Sequence, residues 1–299
     1  MTAAGRLSPQ GFLALLFIAC IMGANHVAAR VALDHGANVV TAVCSRSGVT
    51  ALVVATLVWW MRAPLVMSPR QRRFMVVLGL LITAQSVLLY SAVARIPVGL
   101  ALLAFNLYPL CAAVWSALLY RQRPPARVLW IMPIILLGLG LALDVTSALG
   151  LSSNPPEATL AWGVGLAVAA AVVFGAVLAI TQNEVASVDG RWRTVLCMTM
   201  VGGLAWVASP ALGGLHWPND ATGWWGLAAL TGLYGLGITL LFVILPRLGV
   251  VGNSPILNVE PIAALLMAWV VLDQAMRPVQ WLGACVVVAS VMVLGLRRR

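Results

Sequence analysis

Glu260 is the one carboxylate that the sequence sets deep inside a long apolar run. A charge held at mid-membrane costs about 2.5–3.5 kcal/mol on insertion scales, so such a group is protonated, paired or turned toward a wet cavity. Three roles follow for Glu260: a proton carrier, a counter-charge for a substrate ammonium, or a structural pair with Arg46. Arg46 is the one arginine well inside another apolar run. It stands about eight residues from the end of that run, where a long stem can carry the guanidinium toward the interface, which favours the structural pair. The other polar groups near mid-depth are Asn25, His26, Gln85, Asn106, Tyr108, Tyr234 and Asn258. Each alone is explained by a hydrogen bond to a neighbouring helix. As a set, with Glu260, they predict a shared polar cavity that binds a small molecule.

The same search excludes other chemistry. His26 has no second His, Cys or carboxylate at ligand spacing, so no metal site is predicted. All 18 basic residues are arginine and none is lysine, which rules out a P-loop ATPase and Schiff-base catalysis. No His-Glu-x-x-His, no Gly-x-Ser-x-Gly and no intramembrane aspartate pair is present, so no enzyme and no cofactor is expected. The five cysteines fall inside apolar runs without metal or redox spacing. The net charge of +10 is spread over loops with no interleaved aromatic patch, so nucleic acid is not a partner.

These residues sit on a repeated frame. Asn106-Leu107-Tyr108-Pro109 and Asn258-Val259-Glu260-Pro261 lie 152 residues apart (258 − 106), each near the middle of a membrane-length apolar run. The same shift, without a gap, carries Gly23 onto Gly175 and Arg95 onto Arg247. Pro109 and Pro261 each lack a backbone donor and would clash with the carbonyl four residues back, at Phe105 and Leu257. A kink at each proline, serving as a hinge, is therefore expected.

Composition supplies the solvent. The chain is 62% hydrophobic and 9% charged, with a mean hydropathy of +1.00, too apolar to face water on all sides. At about 20 apolar residues per crossing, ten spans are predicted: 11–32, 38–60, 72–94, 97–119, 126–146, 160–182, 192–212, 225–246, 249–272 and 278–296. The fold class is all-α and integral to the membrane, with the lipid bilayer as partner. The ten helices form two five-helix repeats, 1–150 and 151–299, joined through a polar stretch at about 147–159. An odd number of spans per half inverts the second half relative to the first. With cytoplasmic termini, fourteen arginines fall on the cytoplasmic side against Arg30, Arg95 and Arg277 on the other, a strong positive-inside bias. Most tryptophans, among them Trp59, Trp60, Trp130, Trp192 and Trp225, fall near span ends as interface residues. A monomer is compatible with this architecture.

The span count, the Gly23–Arg30 segment, and the stretch Tyr90–Pro125 with its counterpart Phe242–Pro278 resemble the EamA-type carriers of the bacterial drug/metabolite transporter superfamily. In that pattern a polar-x-x-Pro step in span four is followed by a charged exit, here Arg121-Gln122-Arg123-Pro124. Span nine carries a Glu-Pro step, here Glu260-Pro261, with Asp273-Gln274 where the family usually has a Glu. Span one departs from the pattern, with Asn25-His26 where many members carry aromatics. The resemblance implies an inner-membrane secondary transporter that exports small metabolites, often amino acids. It also implies that spans one, three, four, six, eight and nine surround the cavity, with five and ten at the periphery. More distantly, the chain is similar to the aromatic-amino-acid and paraquat exporter group. Protons are a second candidate cargo. A sugar-phosphate or nucleotide-sugar carrier, a membrane enzyme and a scaffold are the alternatives. The first lacks a cluster of cations for phosphate, the second a nucleophile–base pair, and the third sizeable extramembrane domains.

Overall fold

The computed structural model describes residues 8–93, 95–96, 98–122, 126–142, 157–248, 253–272 and 277–296. All regular structure among them is helical. In chain order the helices are α1 (Pro9–Asp34), α2 (Val39–Trp60), α3 (Pro69–Val93), α4 (Val98–Phe105), α5 (Tyr108–Tyr120) and α6 (Ala126–Ala142). The second half follows with α7 (Glu157–Glu184), α8 (Gly190–Ala208), α9 (Ala221–Leu248), α10 (Glu260–Leu272) and α11 (Pro278–Leu296). Short 3-10 turns at Ser209–Leu212 and Ser254–Val259 extend α8 and precede α10. The polar joint between the halves, with the 150/151 boundary, lies outside the described residues, as do Arg123-Pro124-Pro125 and Asp273-Gln274.

The helices start where polar side chains can take up free backbone N–H groups. The Ser8 hydroxyl accepts from Gly11 N, Asn38 Oδ1 from Thr41 N, Asp189 Oδ1 from Arg191 N and Asp220 Oδ1 from Gly223 N. Between these starts run apolar stretches long enough to cross a bilayer. Seven are single long helices, counting the α4–α5 stretch from Ala101 to Tyr120 as one, and three shorter apolar helices complete the ten spans. Large apolar side chains point outward, Leu52, Trp130, Leu137 and Val270 each at 70% exposure or more. In water such a surface would aggregate, and in lipid it is solvated. Trp192 departs from the belt: it is half-buried and donates through Nε1 to the Ala63 carbonyl at 3.1 Å.

The 152-residue repeat is a repeat of structure. Helices α3, α5 and α6 start at 69, 108 and 126, and α9, α10 and α11 start at 221, 260 and 278. The packing is exchanged between halves. Helix α1 packs on α9 and α10, and α7 packs on the equivalents α3 and α5. Helix α2 packs on its own equivalent α8, and α6 on its equivalent α11, as expected of pairs astride a pseudo-two-fold axis. The loop contacts follow the alternation of ten crossings. The α1–α2 turn meets the start of α9, His35 Nδ1 lying 2.6 Å from Asp220 Oδ2. On the opposite face the α7–α8 turn meets the start of α3, Gln71 Nε2 donating to Ser187 Oγ at 2.8 Å. His35 and Ser187 are themselves 152 residues apart.

The two crossings at the centre show why the repeat is so strict. A Cβ placed at Gly23 of α1 would lie 2.6 Å from the Glu260 carbonyl oxygen and 2.7 Å from Ala264 N. One placed at Gly175 of α7 would lie 2.6 Å from Cys111 Cβ and 2.7 Å from Ala112 N. Cys111 and Ala112 are the 152-residue equivalents of Ala263 and Ala264. Only glycine lets these backbones meet. Elsewhere Gly138, Gly163, Gly235 and Gly237 also make contacts too close for a Cβ, whereas Gly140, Gly165 and Gly232 face open space.

Pro109 and Pro261 do not sit inside continuous helices. Span four breaks at Asn106-Leu107, and Pro109 is the second residue of the new helix α5. Span nine is 3-10 up to Val259, and Pro261 is the second residue of α10. A first-turn proline needs no intrahelical donor and meets no carbonyl behind it. The expected clash with Phe105 and Leu257 is therefore avoided by starting a new helix.

Candidate functional site

Both helix breaks face a central cavity of about 60 Å³. That is room for a few waters, well below the roughly 300–1,000 Å³ of ligand pockets. Its walls come from α1, α2, α3, α4, α5, α7, α9, the 254–259 turn and α10. These are the spans that the resemblance implied, joined by span two through Arg46. Among the described residues, none of α6 or α11 lines it.

Of the residues singled out by sequence, Asn25, His26, Gln85, Tyr108, Tyr234 and Glu260 line this cavity. Asn106 and Asn258 do not. Both are buried at the breaks. Asn106 turns its amide nitrogen onto the Leu102 carbonyl at 2.6 Å, and Asn258 turns its amide nitrogen toward Met132 of α6, 3.6 Å from the sulfur. Missed by sequence were Tyr90, Phe105 and Phe174, apolar-looking rings in apolar spans. The position of Phe105, next to the Asn106 step, was the one usable signal.

Glu260 does not pair with Arg46. Its carboxylate Oε1 lies 2.6 Å from His26 Nε2, across the α1/α10 crossing that Gly23 makes possible, and the two side chains are partly buried, 14% and 12% exposed. Arg46 is 4% exposed and does not reach for the interface. Its Nη1 donates to Tyr90 Oη at 2.8 Å and its Nη2 to Ser86 Oγ at 3.0 Å. The guanidinium also lies 3.9 Å from the centre of the Tyr234 ring and 4.8 Å from that of Tyr90. Two tyrosine faces and two hydroxyls hold the cation where the expected carboxylate was to stand. Across the cavity, Phe105, Tyr108 and Phe174 form a ring cluster with centroids 5.1–5.6 Å apart.

The cavity therefore presents a cation on a tyrosine platform, an imidazole–carboxylate pair and an aromatic wall. Groups of this kind can form ion pairs, hydrogen bonds and ring contacts with a small molecule. No group of three or more His, Cys, Asp or Glu residues arranged to hold a metal is found among the described residues.

A multi-pass membrane carrier made of two exchanged repeats around one cavity is the class that this fold and site define. Residues 9–143 and 161–296 each match the EamA-like transporter family, and the chain belongs to that family. A solved structure described only as the crystal structure of a protein superposes with a TM-score of 0.73 at 18% identity, covering 96% of this chain and 98% of its own. At that identity the likeness is one of fold. No curated protein matches the chain.

Proposed function

We propose that this carrier is a secondary transporter that exports amino acids, aromatic ones included, or similar small metabolites across a bacterial inner membrane. It works by alternating access, with both termini in the cytoplasm and proton exchange at Glu260. The observation that carries this reading is the His26–Glu260 pair, set at a helix break in a cavity walled by both repeats. The two atoms stand at hydrogen-bond distance, and a substrate ammonium competing for the carboxylate must displace the imidazole. The small volume supports a closed resting state: a metabolite fits only after the halves move apart. Contacts that must part on opening stand on both faces. They are His35–Asp220 and Asn38–Gly214 on one, and Arg70–Glu184 and Gln122–Asn183 on the other.

Uptake of a radiolabelled amino-acid panel into liposomes containing the purified chain, with and without a pH gradient, tests the reading. Exchange of one or more amino acids, accelerated by the gradient, is expected. Equal rates with and without it would leave a facilitated exporter, and no movement of any member would sink the substrate class. For orientation, alkaline phosphatase fused after Asn154 is expected to be active, as the 152–157 segment then faces the periplasm.

A further inference from the structure

Arg46 is a buried cation with unused binding capacity. Only two of its guanidinium N–H groups have partners among the described contacts, from the five that arginine carries. Its Nε is buried with none. No carboxylate pairs with it among the described residues; the five ion pairs found there all join other groups. A buried guanidinium left without a counter-charge is costly, and the tyrosine faces offset only part of that. The same cavity holds a second unmet demand. Asn25 is 1% exposed and lines the cavity, and neither its amide oxygen nor its nitrogen has a partner. Glu260, by contrast, is already engaged by His26.

We infer that Arg46 is the carboxylate-recognition residue of the transported molecule, so that the cavity selects zwitterions over plain amines. This rests on the transporter reading above and narrows it. The substrate carboxylate takes the free edge of the guanidinium, which the Tyr90 and Ser86 hydroxyls hold in a fixed plane. Arginine suits this because its fork matches the two carboxylate oxygens. The substrate ammonium takes Glu260 from His26, with the unpartnered Asn25 amide oxygen beside it. A side chain then falls against Phe105, Tyr108 and Phe174. The Arg46 guanidinium and the Asn25 amide oxygen, both buried at the cavity with unmet capacity, are each met by one group of such a ligand. The repeat argues that this is a dedicated placement: the 152-residue equivalent of Arg46 is Met198, a fully buried apolar side chain.

The test is competition against L-phenylalanine counterflow in proteoliposomes. The competitors are L-phenylalaninamide, which keeps the ammonium and loses the carboxylate, and 3-phenylpropionate, which does the reverse. Wild-type protein is expected to bind each at least roughly tenfold more weakly than phenylalanine, about 1.4 kcal/mol. In Arg46→Gln phenylalanine loses its advantage over the amide, while its advantage over phenylpropionate at Glu260 remains. Arg46→Lys, which keeps the charge and loses the fork, restores part of it. That pattern separates recognition from a structural role, under which all ligands weaken together. Should Arg46→Gln fail to fold, Arg46→Lys and the wild-type competition decide. An amide that competes as well as phenylalanine in wild type overturns the inference and leaves an amine carrier. An absence of exchange by any member overturns it together with the proposed substrate class.

Discussion

The crossing of α1 with α10 and the crossing of α7 with α5 are the same joint built twice. Each is a glycine pressed on a backbone at the start of a broken span, Gly23 at Glu260–Ala264 and Gly175 at Cys111–Ala112. Each has a proline at the second position of the helix that the glycine meets, Pro261 or Pro109. What lies beside the joint differs. Across α1/α10 stand His26 and Glu260; at the equivalent positions of α7/α5 stand Leu178 and Tyr108. Where the first half sets Arg46, Gln85 and Ser86, the second sets Met198, Gly237 and Ile238. The repeated part is therefore scaffold, and the unrepeated part is where the ionisable groups of the cavity stand. A broken helix in lipid needs its freed backbone groups covered by protein, which explains why the joint is strict in both halves. A charge is tolerated in only one.

The largest break in that comparison is expected at Glu260 against Tyr108. Glu260→Gln is expected to remove acceleration by the pH gradient and to slow exchange by tenfold or more, about 1.4 kcal/mol. Tyr108→Phe, at the equivalent site, is expected to keep both, because no hydrogen bond of its hydroxyl is found among the described contacts. In a double-mutant cycle, His26→Gln with Glu260→Gln should show a coupling of about 1.5–3 kcal/mol, the range for hydrogen bonds to charged groups. Thermal unfolding in detergent reads it. A coupling near zero would return Glu260 to incidental water. Next come the glycines. Gly23→Ala and Gly175→Ala are each expected to cost about 1–3 kcal/mol from overpacking. The cost should be alike for the two, and unequal costs would break the claim that the joint is scaffold in both halves.

The prolines come third. Pro109→Ala and Pro261→Ala are expected to change stability by less than about 1 kcal/mol, against ~3 kcal/mol for a proline that interrupts a helix. If the breaks act as hinges, exchange slows in both while stability holds. Wild-type rates would make the breaks static features.

Much of this frame is legible in the sequence because it is local or ungapped. Ten apolar runs need only composition and length. The repeat needs only a constant shift of 152, and the breaks announce themselves as Asn106…Pro109 and Asn258…Pro261. The partners within the site are not legible. His26 and Glu260 are 234 residues apart, and Arg46 meets Tyr90 and Tyr234 from two other spans. Which faces meet depends on the exchange of α1 and α7 between halves, and no periodicity within one helix encodes that. Arg46 shows the consequence. Judged along its own helix it is a snorkelling residue, and only the tyrosine faces from α3 and α9 make it a buried cation. Asn106 and Asn258 show the reverse, polar groups at the right depth whose amides turn to the helix backbone or toward α6.

The smallest expected effect compares the two turn contacts on opposite faces. The α7–α8 turn meets α3 through the neutral pair Gln71 and Ser187, beside the Arg70–Glu184 ion pair. The equivalent α1–α2 turn meets α9 through His35 and Asp220. The Asp220 carboxyl is held below the usual carboxylate range, first by the Gly223 backbone N–H and then by His35. A carboxyl depressed in the folded state stabilises it fully above its unfolded value, near 4. That contribution is lost as pH falls through the lower folded value. Through Asp220, acid should therefore loosen the His35 face below about pH 4; on the other face the Asp189 carboxyl, held low first by the Arg191 side chain, responds to acid in the same sense, so the comparison turns on removing the Asp220 charge alone. Asp220→Asn keeps a side-chain oxygen for the helix cap and loses the charge, so it should remove the acid sensitivity of this face with little change in melting temperature at neutral pH. Hydrogen exchange of the amides around residues 35–38 and 221–224, against those around 69–72 and 185–189, resolves the two faces in one experiment. Acid loosening of the His35 face that is unchanged in Asp220→Asn would show that this carboxyl does not set the acid response of the turn.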